Sequence, residues 1–435
     1  MSANMSLQRA LAAALLVGAS LLTLSASQEV KVPSAGAQKK LVEEYLKLDA
    51  WTPEGVSRRS EILKAVESVP PLTDRTLKSW LKLMEKGSGK GPELEKTSGR
   101  HYFWSDPKED VEKGLYIIGG KTKGPKGLLI AMHGGGAGSG DAGPAASSWE
   151  GTAKDHDLLL IAPEVIEKTE HGWTDTGTEE FVIQLIERAL RTFDIDPGRV
   201  YLAGHSMGGY GTWTLGGHHA DRVAGLTPSA GAPTPITGVS GDFERIVEGI
   251  IPNLYNVPIR IYQSDDDVQV PPEANRVAAK QLEAAQKAYG GFDFEYWEVS
   301  GRGHNAPPGG YSALFDKVGE RRRVSRPTRI VWQPELVWKH DFYWLHWPES
   351  SKRAILTADL DREKNEIKIL VTGGGSHGLS VWLDDQMVDM EKEVTIYVGG
   401  AEVFKGVPVR TLTALLESAG RGDSEYMFPA RVDLD

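Results

Sequence analysis

Gly204-His205-Ser206-Met207-Gly208 is a Gly-x-Ser-x-Gly pattern set behind the apolar run 200–203 and ahead of the helical stretch 209–217. A serine on a sharp strand-to-helix turn presents its hydroxyl outward, and flanking glycines avoid Cβ clashes at such a turn. A hydroxyl is a poor nucleophile until a base takes its proton, and that base must be held in one tautomer by a third group. Downstream, Asp265-Asp266-Asp267 follows the strand-like run 259–262, and His304 lies in Gly301-Arg302-Gly303-His304-Asn305 after the run 292–299. A loop aspartate alone reads as a turn or cap residue, and a lone histidine as a surface or core residue. Placement just past strand ends favours catalysis: Ser206 as nucleophile, His304 as base and Asp267 as acid, with Asp265 in reserve.

Attack on a carbonyl creates an oxyanion that needs backbone N–H donors. His133-Gly134-Gly135-Gly136 directly follows the run 127–132. The expected donors are an amide of this glycine run and that of Met207, the residue after the nucleophile. His133 reads as a brace for that loop. Residues 234–256 are expected as a helical cap over the pocket, with Trp173 and His205 contacting substrate.

Three rival patterns carry less. Gly374-Gly375-Ser376-His377-Gly378 also fits Gly-x-Ser-x-Gly, but it lies between the strand-like runs 367–371 and 379–383 and reads as a hairpin turn. Gly138-Ser139-Gly140-Asp141-Ala142-Gly143, with Glu164 further on, matches a dinucleotide fingerprint. The stretch 133–137 separates it from its strand, whereas the first glycine should itself make that turn. Adjacent His218 and His219 point to different helix faces, and no His-Glu-x-x-His occurs, so no metal site is expected.

Elements to position these residues are visible. Residues 38–85 show three-to-four apolar spacing interrupted at Pro70-Pro71. From about 100 to 318, short Val/Ile/Leu-rich runs alternate with helical segments near 145–155, 178–193, 208–219 and 273–289, the pattern of a largely parallel sheet covered on both faces. Chemistry in such sheets collects at the carboxyl ends of strands. Residues 338–346, 353–360, 366–372, 379–384, 394–404 and 426–434 read as strands, with a helix near 410–418. Five of the 12 tryptophans, Trp332, Trp338, Trp344, Trp347 and Trp382, fall in this last region and read as core.

Composition narrows the function. The 435 residues carry 49 Lys+Arg against 60 Asp+Glu, a formal charge of −11, which argues against a nucleic-acid partner. The one dense basic run, Arg321-Arg322-Arg323 with Arg326 and Arg329, reads as a solvated linker. Absence of cysteine removes thiol catalysis, thiolate zinc sites and disulfides. Arg9, the apolar stretch 10–24 and Ser25-Ala26-Ser27 match a secretory signal, too short for a comfortable membrane span. The expected division is a signal peptide (1–27), an N-terminal helical region (28–100), a catalytic domain (101–320) and a C-terminal β-rich domain (321–435). The expected product is a secreted, periplasmic or extracellular protein without stable membrane insertion.

The string Asp196-Pro197-Gly198-Arg199-Val200-Tyr201-Leu202-Ala203-Gly204-His205-Ser206-Met207-Gly208-Gly209-Tyr210-Gly211-Thr212-Trp213 resembles the alpha/beta-hydrolase superfamily, especially secreted bacterial esterases of the prolyl-oligopeptidase-like and polyhydroxybutyrate-depolymerase-like group. The resemblance covers about 110–318. It implies an alpha/beta-hydrolase fold, a Ser206–Asp267–His304 triad in that chain order, an acyl-enzyme route, no cofactor, and a small-molecule or polymer-linked ester as substrate. Gln263-Ser264 departs from the His-Gly that relatives often carry before the acid loop. A serine peptidase of the prolyl-oligopeptidase type, or a non-catalytic polysaccharide- or envelope-binding protein, are the competing expectations.

Overall fold

The computed structural model describes residues 32–87, 91–106, 108–109 and 111–434. The expected signal segment lies outside the described residues. Eight strands form the central sheet: β1 (Gly99–Asp106), β2 (Val111–Gly120), β3 (Gly127–Met132), β4 (Leu158–Pro163), β5 (Val200–His205), β6 (Gly225–Ser229), β7 (Ile259–Ser264) and β8 (Phe294–Val299). Their order is β1-β2-β4-β3-β5-β6-β7-β8. The pairs β1/β2 and β2/β4 are antiparallel, and the remainder of the sheet is parallel. This is the alpha/beta-hydrolase fold.

Period-two alternation assigns each strand residue to a face. On β3, Leu128 and Ile130 join one apolar cluster with Phe181, Leu185, Trp213 and Leu282. These four lie on α5 (Thr178–Thr192), α6 (Met207–His218) and α7 (Glu273–Tyr289). Leu129 and Ala131 instead join Trp149 and Phe315, from α4 (Ala142–Asp155) and α8 (Gly310–Phe315). Both faces are covered, so β3, β4 and β7 are buried throughout.

Before the sheet, the helical region is three helices: α1 (Ala35–Lys47), α2 (Pro53–Val66) and α3 (Asp74–Gly87). The break at 48–52 is set by Thr52, whose side chain caps Gly55 N–H with Pro53 in the first turn. Val42, Ile62 and Leu77 pack against Leu412, Leu415 and Leu416 of α9 (Leu412–Ala419). The three N-terminal helices and α9 therefore share one small core.

The C-terminal region holds β9 (Arg329–Trp332), β10 (Asp341–Phe342), β11 (Leu345–His346), β12 (Ile355–Asp361), β13 (Glu366–Thr372), β14 (Ser380–Leu383), β15 (Val394–Val398), β16 (Ala401–Gly406) and β17 (Ala430–Asp433). They form two sheets, β9-β12-β13-β15-β16 and β10-β11-β14-β17. Trp332, Trp344, Trp347 and Trp382 are at most 1% exposed and build the core, whereas the fifth, Trp338, is half-buried and packs edge-on against Trp51. The segment around Ser376 joins β13 to β14, which belong to different sheets; it is a crossover rather than the expected hairpin turn.

The basic run is not a solvated linker. Arg323 is buried and meets Asp423 at 2.8 Å and Glu425 at 2.7 Å. Arg326 meets Asp384 at 2.6 Å, and Arg322 bridges Asp196 and Glu425. The acidic partners come from distant parts of the chain, so a window on the run shows only its cations. Next to this clasp, buried Asp221 accepts from Lys339 at 2.7 Å and Arg421 at 3.0 Å. Burial opposes its charge, but Lys339 and Arg421 outweigh that and hold the carboxyl at about 2. Breaking a buried pair strands the remaining charges, so Asp221→Asn should lower unfolding free energy by about 3–5 kcal/mol. A denaturant midpoint that does not move would show that Lys339 and Arg421 reach other partners.

Candidate active site

Ser206 sits between β5 and α6 with φ 60° and ψ −125°, a left-handed backbone uncommon for a non-glycine residue. Its neighbours explain the glycines. A Cβ on Gly204 would stand 2.2 Å from the Gly208 carbonyl oxygen, and one on Gly208 would stand 2.1 Å from the Met132 carbonyl oxygen. The elbow is thus pressed against the end of β3, which carries the glycine loop.

Three loops converge here. His304 Nε2 lies 2.8 Å from Ser206 Oγ, and His304 Nδ1 lies 2.7 Å from Asp267 Oδ2. A carboxylate only accepts, so Nδ1 carries the hydrogen and Nε2 faces the serine hydroxyl as acceptor. Asp267 Oδ1 accepts from the backbone N–H groups of Gln269 at 2.9 Å and Val270 at 3.0 Å.

The three consecutive aspartates divide their work. Asp265 accepts from Ser300 Oγ and does not face His304. Asp266 accepts from the N–H groups of Arg302 and Gly303 at 3.1 and 2.8 Å, tying down the loop that carries the histidine. The hydrogen bond from Ser264 Oγ, and then these backbone bonds, lower the Asp266 carboxyl from its usual range. Sequence reading missed this second acid; its only signal was its place in the run.

Gly134 lies against Ser206, since a Cβ on it would stand 3.2 Å from Ser206 Cβ. Gly135 and Met207 line the cleft beside Ser206. Met207 opens α6, where the first N–H groups have no intrahelical acceptor. Buried His133 holds this loop from within: Nδ1 donates to the Gly134 carbonyl at 2.8 Å, and Nε2 accepts from Val165 N–H at 3.1 Å.

Two expected substrate contacts fall elsewhere. Trp173 is 0% exposed and its indole N–H donates to the His133 carbonyl at 3.2 Å, so it braces the glycine loop from below. His205 packs its ring 4.9 Å from His304 and meets Ser229 Oγ at 3.1 Å through Nδ1. It packs against His304 rather than lining the cleft. The helical cap is also corrected: Pro235–Thr237 and Phe243–Ile246 form a β-hairpin. Pro233 and Pro235 withhold the N–H groups a helix would use, and Gly241 adopts φ 90° in the turn.

The cleft beside Ser206 measures about 960 Å³ and runs between this hairpin and α7. Tyr210, Pro233, Phe243 and Val277 supply apolar walls; Glu170, Glu273, Arg276 and Lys280 supply charge. The rival dinucleotide pattern is used differently. Gly135–Gly136 pairs with Ser139–Gly140, Asp141 caps α4 through Gly143 N–H, and Glu164 accepts from Ala142 N–H. His218 and His219 converge on one oxygen of Glu179, each at 2.9 Å, because His219 lies past the helix end. Among the described residues no cluster suited to a metal ion occurs.

No protein-family profile matches the chain. Over 217 residues, 44% of the chain, it is 25% identical to a bifunctional acetylxylan esterase/xylanase of Neocallimastix patriciarum. The chain spans 31% of that relative's length. Among solved structures it is similar to an acetyl xylan esterase from Aspergillus awamori, with 13% identity over 51% of this chain and 99% of that one at a TM-score of 0.38. It is also similar to a ferulic acid esterase from Anaeromyces mucronatus, with 17% identity over 52% and 90% at 0.36.

Burial, and then the nearby His304, push the His205 imidazole down to about 4 from the ordinary 6.5. Burial does the same to His219. Between those values the unfolded chain binds more protons than the folded one, so stability present above 6.5 is lost as pH falls toward 4. Urea midpoints taken across this window should decline, and His205→Gln should flatten the decline. An equally steep slope in that variant would remove His205 from the account.

Proposed function

We propose that this chain is a carboxylic ester hydrolase working through an acyl-enzyme on Ser206. The reading rests on one observation: Ser206, His304 and Asp267 stand in an unbroken hydrogen-bond line, 2.8 and 2.7 Å, at the wall of an open cleft. His304 Nε2 takes the hydroxyl proton as Oγ attacks the carbonyl carbon. Asp267 holds the Nδ1 hydrogen and stabilises the imidazolium that forms. The amides of Gly134 or Gly135 and of Met207 receive the oxyanion. The tetrahedral intermediate collapses as His304 returns the proton to the departing alkoxide. Water then enters, loses a proton to the same nitrogen and releases the acid.

The likeness to an acetylxylan esterase supports a small acyl group carried on a polysaccharide. A cleft open along the hairpin suits such an alcohol, because a chain can extend past the reacting ester. The elbow's resemblance to secreted esterases of the polyhydroxybutyrate-depolymerase-like group, and the segment 9–27, support export.

Ser206→Ala should abolish labelling by a fluorophosphonate probe and lower kcat on acyl esters by at least about a thousandfold. Labelling that persists in Ser206→Ala would move the nucleophile elsewhere. Phe243, 40% exposed on the hairpin, should serve polymer binding alone. Phe243→Ala is expected to raise KM several-fold on acetylated polysaccharide while leaving a small aryl acetate unchanged. Equal effects on both substrates would assign Phe243 to the acyl site or to folding.

A further inference from the structure

Gln263 stands at the end of β7, where the resemblance leads one to expect histidine, and it is fully buried four residues before Asp267. A buried amide without partners is costly, so where its hydrogens go is informative. Nε2 donates to the Val270 carbonyl at 2.9 Å, and reaches the Ser264 carbonyl at 3.2 Å and Asp267 Oδ2 at 3.3 Å. Oε1 accepts from Asn275 Nδ2 at 2.9 Å. Asn275, also fully buried, accepts at Oδ1 from the Trp213 indole N–H at 3.2 Å. Its Nδ2 also reaches the carbonyl of Gly231 at 3.2 Å.

An indole nitrogen can only donate. Trp213 therefore sets which way Asn275 is turned, Asn275 sets Gln263, and Gln263 is left presenting N–H to the acid. The oxygen it meets, Oδ2, is the one that holds His304 Nδ1. We infer that Gln263 is a positioning residue: its buried amide fixes the Asp267 carboxylate in the rotation that orients His304 toward Ser206. The inference rests on the ester-hydrolase reading. It assigns to Trp213 on α6 and Asn275 on α7 the indirect task of keeping that amide from turning over.

The geometry explains why one more donor is needed. The backbone N–H groups of Gln269 and Val270 both bind Oδ1, so apart from Gln263 the second oxygen meets only His304, the group it has to orient. Gln263 engages the second oxygen and Val270 together, joining the carboxylate to its own loop.

The test uses the full chain. Gln263→Met keeps the volume and removes both donors; Gln263→His restores one. Gln263→Met should lower kcat on an aryl acetate about 10–100-fold with KM unchanged, and Gln263→His should recover most of the loss. The rate constant for fluorophosphonate labelling should fall in Gln263→Met by the same factor, while the fraction of protein finally labelled stays as in the wild type. Were Gln263→Met insoluble, Trp213→Phe would remove the donor at the far end of the chain and should show a smaller fall in kcat, again at constant KM. Unaltered kcat in Gln263→Met, or a reduced labelled fraction with an unaltered rate per labelled site, would reduce Gln263 to core packing and overturn the inference. Wild-type protein that neither labels nor hydrolyses esters would overturn the hydrolase reading itself, and the inference with it.

Discussion

The site depends on backbone pressed against backbone at the Ser206 elbow. Gly204, Gly208 and Gly231 each stand where a single added carbon would overlap a carbonyl, of Gly208, Met132 and Ser206 respectively. This contact joins three strand ends, β5, β3 and β6, at one point. It holds Ser206 in a backbone conformation that costs about 1–3 kcal/mol, and it brings the glycine loop after β3 alongside the hydroxyl. Strain of that size persists because strands buried on both faces leave the elbow nowhere to relax.

Around that point, support is arranged in tiers of hydrogen bonds. His304 is held by Asp267, and the loop carrying it is held by Asp266. On the other side of the serine, the glycine loop is held by His133, whose carbonyl in turn accepts from Trp173. Asp267, His133 and Trp173 are buried, so their bonds act in a low dielectric and each missing partner would be costly, whereas Asp266 ties its loop down at the surface. None of Asp266, Asp267, His133 and Trp173 lines the cleft beside Ser206.

The chain beyond the hydrolase sheet is bound to it by charge as much as by apolar packing. Lys339 and Arg421 meet buried Asp221 across that join and Arg322 reaches Asp196, while Arg323–Asp423 and Arg326–Asp384 close the C-terminal region on itself. The N-terminal helices close over α9 at the same end. The tryptophans of the C-terminal sheets are consumed in their core, leaving the cleft between α7 and the 235–246 hairpin as the feature beside Ser206.

Much of this was legible from residue order. Near-continuous apolar runs marked β3, β4, β5 and β7 because strands buried on both faces tolerate little else. Gly204 and Gly208 marked the elbow because no other residue fits. The errors share a cause. The arginine run looked solvated because its acids lie up to 126 positions away, and Trp173 looked like a cleft residue because type does not report burial. Residues 234–256 were expected as a helical cap, but 235–246 form a hairpin, with prolines and a glycine turn against a helix, and only Pro252–Asn256 makes a short 3-10 helix. By itself the sequence determined the strand and helix succession and the kinds of group available for chemistry, since both follow from local periodicity and residue type. Only the tertiary structure decided which of three adjacent aspartates faces His304 and which amide supports it, because those choices turn on distances of a few ångströms between loops remote in the chain.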